Sequence, residues 1–195
     1  MPKPFFKRLP TLLTVFAALA VLSACTSSDD QGEVASDIDT TMDSLVSAAW
    51  LREHLNDPDL VVIDATVLVE SDGSGNMVSV NGRASYEAGH IPTAVFADFM
   101  GDLSDADSPL EFAVPSPEQF AAAMGALGVG DDSRVVLYDT NSMSWAARVW
   151  WMLRWIGFDR AALLDGGLDA WKAAGGSVSA EPVSPTAKSL TVKLR

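Results

Sequence analysis

The stretch from Arg134 to Trp155, RVVLYDTNSMSWAARVWWMLRW, holds the residues best placed to do chemistry. Val135, Val136, Leu137 and Tyr138 form a short apolar run, the pattern of a buried strand. Asp139, Thr140, Asn141, Ser142, Met143 and Ser144 are loop-like, and from Trp145 onward apolar residues recur at helical spacing: Ala146, Val149, Leu153 and Ile156. Strand, tight loop and helix together gather backbone N–H groups into a cup at a helix N-terminus. Such a cup holds an anion and, where a thiol opens the loop, lowers the pKa of that thiol. Here the loop opens with Asp139, a carboxylate. As a side chain it suits capping of the following helix better than acid–base work.

The elements around this stretch must position it. Ser47 is a candidate N-cap for a helix Ala48–Leu55, stopped by Asn56-Asp57-Pro58. Leu60 to Ile63 reads as a buried strand ending at Asp64, and Val67 to Val80 as a hairpin or irregular excursion around the turn cluster Ser71–Asn76. Arg83–Gly89 reads as a short helix and Ala94–Ala97 as a strand. Phe99–Val114 forms a long acidic loop, and the acidic stretch Asp98–Asp107 lacks EF-hand spacing and suits a solvated surface. Ser116, Pro117 and Gln119 combine an N-cap, a proline at the first helical position and a capping-box glutamine for a helix running to Leu127, which Gly128 ends. Ala161–Leu164 is a further strand, and Asp165-Gly166-Gly167 turns into a helix Leu168–Ala174. Strands alternating with helices imply an α/β fold, an open and mostly parallel sheet with helices on both faces. The loops opened by Asp64, Asp98, Asp139 and Asp165 then share the carboxyl edge, where such sheets meet ligands.

The ends of the chain read differently. Lys3, Lys7 and Arg8 precede an apolar run, Leu9–Leu22, too short for a comfortable membrane span, and residues 1–25 read as a targeting segment. Leu22-Ser23-Ala24-Cys25 resembles the bacterial lipobox, which implies cleavage before Cys25, lipid attachment there, export and anchoring in the cell envelope. Residues 26–43 read as a flexible tether, 44–180 as the domain, and the Ser-, Thr- and Pro-containing residues 181–195 as a linker.

Charge and cysteine content narrow the function. The formal charge is −13, and the residues after Cys25 carry ten bases against 26 acids. A body that acidic repels nucleic acid. With Cys25 as the single cysteine there is no internal disulfide and no cysteine-based metal site. His54 and His90 lie in no metal-binding spacing, and no metal or other cofactor is expected. The six tryptophans read as core packing. Arg148 and Arg154 suit snorkelling along an apolar helix or pairing with acids, His90 a backbone bond within a turn, and Asp165 the turn itself.

Three segments resemble the rhodanese family. Tyr86-Glu87-Ala88-Gly89-His90-Ile91-Pro92-Thr93-Ala94 resembles its signature of an aromatic residue followed by His-Ile-Pro-Gly-Ala, with Thr93 where glycine is usual. Leu164-Asp165-Gly166-Gly167-Leu168-Asp169-Ala170-Trp171 resembles the family's Asp-Gly-Gly turn and following tryptophan. Ala146–Trp155 looks like the central helix of N-terminal domains in tandem rhodaneses, and the likeness covers residues 44–180. It implies a sulfurtransferase, in which a cysteine opening the central loop takes sulfur from thiosulfate or 3-mercaptopyruvate and passes it to cyanide or a thiol. Asp139 stands at that cysteine's position, and residues 140–144 supply no cation for an anionic donor. The resemblance therefore implies the non-catalytic N-terminal domain of a tandem sulfurtransferase, partnered by a second, cysteine-bearing domain that binds a small sulfur donor. The alternative is a stand-alone, inactive rhodanese-like binding module on the cell envelope. A phosphatase sharing this fold also needs a loop cysteine and meets the same objection.

Overall fold

A computed structural model describes residues 42–195. The targeting segment, Cys25 and tether residues 26–41 lie outside the described residues.

Five strands form a parallel sheet: β1 (Leu45–Val46), β2 (Leu60–Asp64), β5 (Val95–Phe96), β6 (Arg134–Tyr138) and β7 (Ala161–Leu164), in the order β1-β7-β6-β2-β5. Strands β3 (Val67–Ser71) and β4 (Met77–Asn81) pair antiparallel in a separate hairpin, at the place where the turn cluster signals one. The helices are α1 (Ala48–His54), α2 (Arg83–Ala88), α3 (Pro117–Ala126), α4 (Ser144–Trp155) and α5 (Gly167–Ala173). The sequence gives no sign of β1, whose two residues lack any periodicity.

The continuous apolar runs make sense because the sheet is covered twice. Successive side chains of a strand point to opposite faces. Val135 and Leu137 join Ile63, Phe120, Met124, Val149 and Leu153 in one core, under α3 and α4. Val136 and Tyr138 join Val62, Leu51, Leu168 and Trp171 in the other, under α1 and α5. Both halves of each strand are therefore apolar. Of the six tryptophans only Trp171 is fully buried. The others are half-buried, apart from Trp151 at 46% exposure.

Two local expectations differ from the structure. Ser116 Oγ accepts the Gln119 N–H (3.1 Å) as an N-cap does, but the Gln119 side chain does not return to Ser116. Its amide donates to the carbonyls of Asp102 (3.2 Å) and Ser104 (3.0 Å), tying the acidic loop to α3. The tail after α5 holds no helix or named strand, as its composition suggests, yet it lies along the domain. Ser179 and His90 exchange both backbone hydrogen bonds, the Lys188 N–H donates to Gly125, and the Lys193 N–H donates to Ile156. Val183, Leu190 and Val192 pack on the α3/α4 core.

Candidate functional site

The carboxyl ends of β2 and β6 neighbour each other, with Asp64 in register with Tyr138, so the loops after both strands meet. The β6 loop carries the candidate site. Met143 adopts φ +63 just before α4, a left-handed conformation uncommon for a side-chain-bearing residue. That bend folds the loop back so that its N–H groups converge with those of the first helical turn.

Asp139 lies at the point of convergence. Its Oδ1 accepts the N–H groups of Asn141 (3.0 Å) and Met143 (2.9 Å), and its Oδ2 those of Trp145 (3.2 Å) and Ala146 (3.1 Å). The side chain is 2% exposed. Met143, the residue at the N-cap, makes no capping bond of its own, so Asp139 serves α4 as its cap from four residues upstream. The cup is thus occupied by the chain's own carboxylate, which also complements the positive end of the helix.

Gly166 and Gly167 bring the second motif against this loop. Both have positive φ, +73 and +57, and a Cβ on Gly167 would lie 2.6 Å from the Asp139 carbonyl oxygen. The glycine is needed for that close approach as well as for its backbone angle. A cavity of about 200 Å³ lies between the two loops, lined by Asp139, Thr140, Asn141, Ser142 and Met143 on one side and Gly166, Gly167 and Asp169 on the other. Its charged groups are two carboxylates, and no base contributes to the wall. Ser144, the last residue of the expected loop, starts α4, and its hydroxyl meets that of Ser142 (2.8 Å). Asp165 is exposed, and its N–H donates to the Val46 carbonyl of the neighbouring strand β1.

The first motif supports the site from below without entering it. The His90 Nδ1 bonds the Tyr86 carbonyl (2.8 Å), the Ile91 N–H donates to the Tyr138 hydroxyl (3.2 Å), and Pro92 follows in the turn to β5. Thr93, in the place of the usual glycine, has φ +71. Arg148 donates to the Phe112 carbonyl (3.3 Å) and lies over Trp151, and Arg154 pairs with Asp159 (3.5 Å) and lies over Trp150. Neither arginine lines the cavity beside the cup.

Sequence reasoning placed Asp64 at the carboxyl edge but missed Thr66 and the support that the two give the cup. Asp64 and Thr66 are fully buried at the end of β2. The Thr66 hydroxyl accepts the Thr140 N–H (3.1 Å), and Asp64 Oδ1 accepts the Thr66 N–H (2.9 Å), so an unbroken chain of bonds runs from β2 to the cup. Burial raises the pKa of Asp64 against the opposing hydrogen bonding from Thr66, and the charge of Asp139 raises it further. Tyr138 is raised mainly by burial and then by the charge of Asp64. Asp-Ala-Thr directly after a buried strand was the available signal, and it is a weak one.

Comparison with known proteins agrees with this geometry. The rhodanese-like domain family matches residues 47–174. The 3-mercaptopyruvate sulfurtransferase of Escherichia coli (strain K12) is 42% identical over 127 residues, covering 65% of this chain and 43% of that protein. The mitochondrial thiosulfate/3-mercaptopyruvate sulfurtransferase 1 of Arabidopsis thaliana is 38% identical over 136 residues, covering 70% of this chain and 34% of its own length. This chain thus spans less than half the length of these relatives. A crystal structure of a 3-mercaptopyruvate sulfotransferase from Escherichia coli superposes with a TM-score of 0.68 at 36% identity, covering 79% of this chain and 56% of that one. By its parallel sheet, its two motif loops meeting at the central cup and the family match over residues 47–174, this chain belongs to the rhodanese family.

Proposed function

We propose that this chain is the non-catalytic first domain of a longer sulfurtransferase that uses thiosulfate or 3-mercaptopyruvate, held in the bacterial cell envelope by lipid on Cys25. The observation that carries the proposal is the occupied cup. Sulfur transfer in this family, as the resemblance implies, needs a thiolate that attacks the donor sulfur and a ring of N–H groups for the charge that develops. Here a carboxylate takes all four N–H groups. A carboxylate is a poor sulfur acceptor, and with Asp169 it makes the adjoining cavity acidic, hostile to an anionic donor. The relatives are more than twice as long as the matched segment, which leaves room in such proteins for a second domain that does the chemistry.

The test is sulfur transfer by the 195-residue chain. With thiosulfate or 3-mercaptopyruvate as donor and cyanide as acceptor, thiocyanate is expected to form no faster than without protein. Mass spectrometry is expected to find no added sulfur. A sulfur adduct in residues 139–144, or turnover at the rate of an intact sulfurtransferase, overturns the proposal. The coding sequence beyond Arg195 decides the second domain: a rhodanese domain whose central loop opens with cysteine is expected. The anchor is tested by Cys25→Ser, which is expected to move the exported protein from the membrane to the soluble fraction; retention in the membrane refutes lipidation.

A further inference from the structure

A second cavity, of about 370 Å³, lies between α2, β5 and the tail, and shares no residue with the cavity beside the cup. Its polar wall comes from Arg83, Glu87 and His90, spaced so that α2 and the turn after it present them along one side. Its apolar wall includes Phe96, Leu127 and Pro182. A volume of that size is ordinary for a small-molecule site.

One buried polar atom there has no hydrogen-bond partner, and two exposed charged side chains form no ion pair, among the described residues. His90 is 1% exposed, and its Nδ1 lies 2.8 Å from the Tyr86 carbonyl, which can only accept. Nδ1 therefore carries the proton of the neutral ring and Nε2 presents a lone pair. Nε2 is buried with no hydrogen-bond partner. Stacking on Tyr86, with ring centroids 4.0 Å apart, holds the ring in that orientation. Buried acceptors in folded proteins are nearly always satisfied, so one at a cavity wall is a pointer to a ligand. The Arg83 guanidinium lies over the face of Phe96, 4.7 Å from its centroid. Neither Arg83 nor Glu87 takes part in an ion pair among the described residues.

Each simple ligand class fits only part of this set. A carboxylate alone meets Arg83 but is repelled by Glu87, and an amine alone meets Glu87 but is repelled by Arg83. A zwitterion answers both charges, and its ammonium N–H groups supply the donor that Nε2 lacks. We propose that this cavity binds a free α-amino acid with an apolar side chain: carboxylate on Arg83, ammonium on Glu87 and His90 Nε2, side chain against Phe96 and Pro182. Nε2 itself is buried in this structure, so binding requires the tail wall, an irregular chain without helix or named strand, to shift and expose it to the ligand.

The test is titration of the full chain with L-phenylalanine, followed by calorimetry and by the 15N resonances of the His90 ring. Saturable binding that moves the Nε2 resonance is expected. 3-Phenylpropionate, which lacks the ammonium, and 2-phenylethylamine, which lacks the carboxylate, are each expected to bind at least about tenfold more weakly, the loss of one charge-assisted hydrogen bond. Arg83→Gln and Glu87→Gln replace exposed side chains and are expected to fold normally by circular dichroism while weakening L-phenylalanine by a similar factor. If neither L-phenylalanine nor L-leucine binds saturably, the proposal is wrong. It is equally wrong if both variants bind as the parent does, or if 3-phenylpropionate binds as tightly as L-phenylalanine, which would mark a plain anion site.

Discussion

Replacing Asp139 by alanine tests whether the carboxylate holds the cup together. Four N–H groups lose their acceptor at once, but they do not lose equally. Asn141 is exposed and Met143 and Trp145 are half-buried, so water can reach their N–H groups when the side chain is gone. Ala146 is fully buried, and its N–H is left without a partner. Loss of a helix cap costs about 1 kcal/mol, and an orphaned buried donor about 1–3 kcal/mol. The sum, about 2–4 kcal/mol, is large against a total stability of about 5–15 kcal/mol. With a urea slope of about 2 kcal/mol/M, the midpoint of unfolding is expected to fall by about 1–2 M. Asp139→Asn is expected to lose nearly as much, because its amide NH2 would face two of the four donors. An emptied cup should also accept an anion from solution. Added sulfate is expected to raise the alanine variant's midpoint more than the parent's, the parent reporting the general effect of the salt. A loss below about 0.5 kcal/mol for Asp139→Ala, outside the range for a lost cap, together with equal sulfate responses, would refute the view that this carboxylate fills a working anion site.

Asp64 gives a pH signature. Its pKa is raised in the fold, mainly by burial, so its contribution to stability is full below the ordinary aspartate value near 3.8 and is lost as pH rises through the higher folded value. Asp64→Asn is expected to gain stability relative to the parent as pH rises above that range, and urea midpoints across pH check it; parallel curves would count against a buried acid. Thr93 sits at φ +71 with its side chain exposed, so Thr93→Gly is expected to stabilise by about 0.5–1 kcal/mol, the left-handed penalty less glycine's entropy. A lower melting temperature for Thr93→Gly would show that the threonine makes contacts worth more than its strain. Leu190 is half-buried on the α3/α4 core, and Leu190→Ala is expected to cost about 1–2 kcal/mol, below the range for a full core leucine. Trypsin is expected to cleave slowly after Lys188, whose N–H is bonded to Gly125, whereas rapid clipping there would mean that the tail is free in solution.

The sheet was legible because physics writes it twice. A strand covered on both faces has no polar side, so Leu60–Ile63 and Val135–Tyr138 stand out as unbroken apolar runs, and their carboxyl ends follow directly. The docked tail was not legible. Its apolar residues Val183, Leu190 and Val192 are few, and it is fastened by backbone bonds to Gly125, Ile156 and His90, which leave no mark on residue type, and by side-chain pairs such as Thr191 with Asp131 and Lys188 with Asp132, whose partners lie some 60 residues away in the sequence. Strand β1, at two residues, is below the length at which any period can be read.

The cup divides in the same way. One residue type, a carboxylate where the family resemblance calls for sulfur, is what the proposed non-catalytic role rests on. That all four N–H groups converge on it depends on Met143 turning left-handed, which its identity does not announce, and on Thr66 bracing Thr140 from another strand. These supports bear on what a cysteine at 139 could recover. The N–H groups would remain to favour a thiolate, but the neighbouring cavity offers Asp169 and no base. Reactivity toward a neutral alkylating agent and reactivity toward thiosulfate therefore separate: Asp139→Cys is expected to show the first and to lack the second. A variant that takes sulfur from thiosulfate as readily as it is alkylated would mean that the cup alone suffices, and that the acidity of its surroundings does not matter.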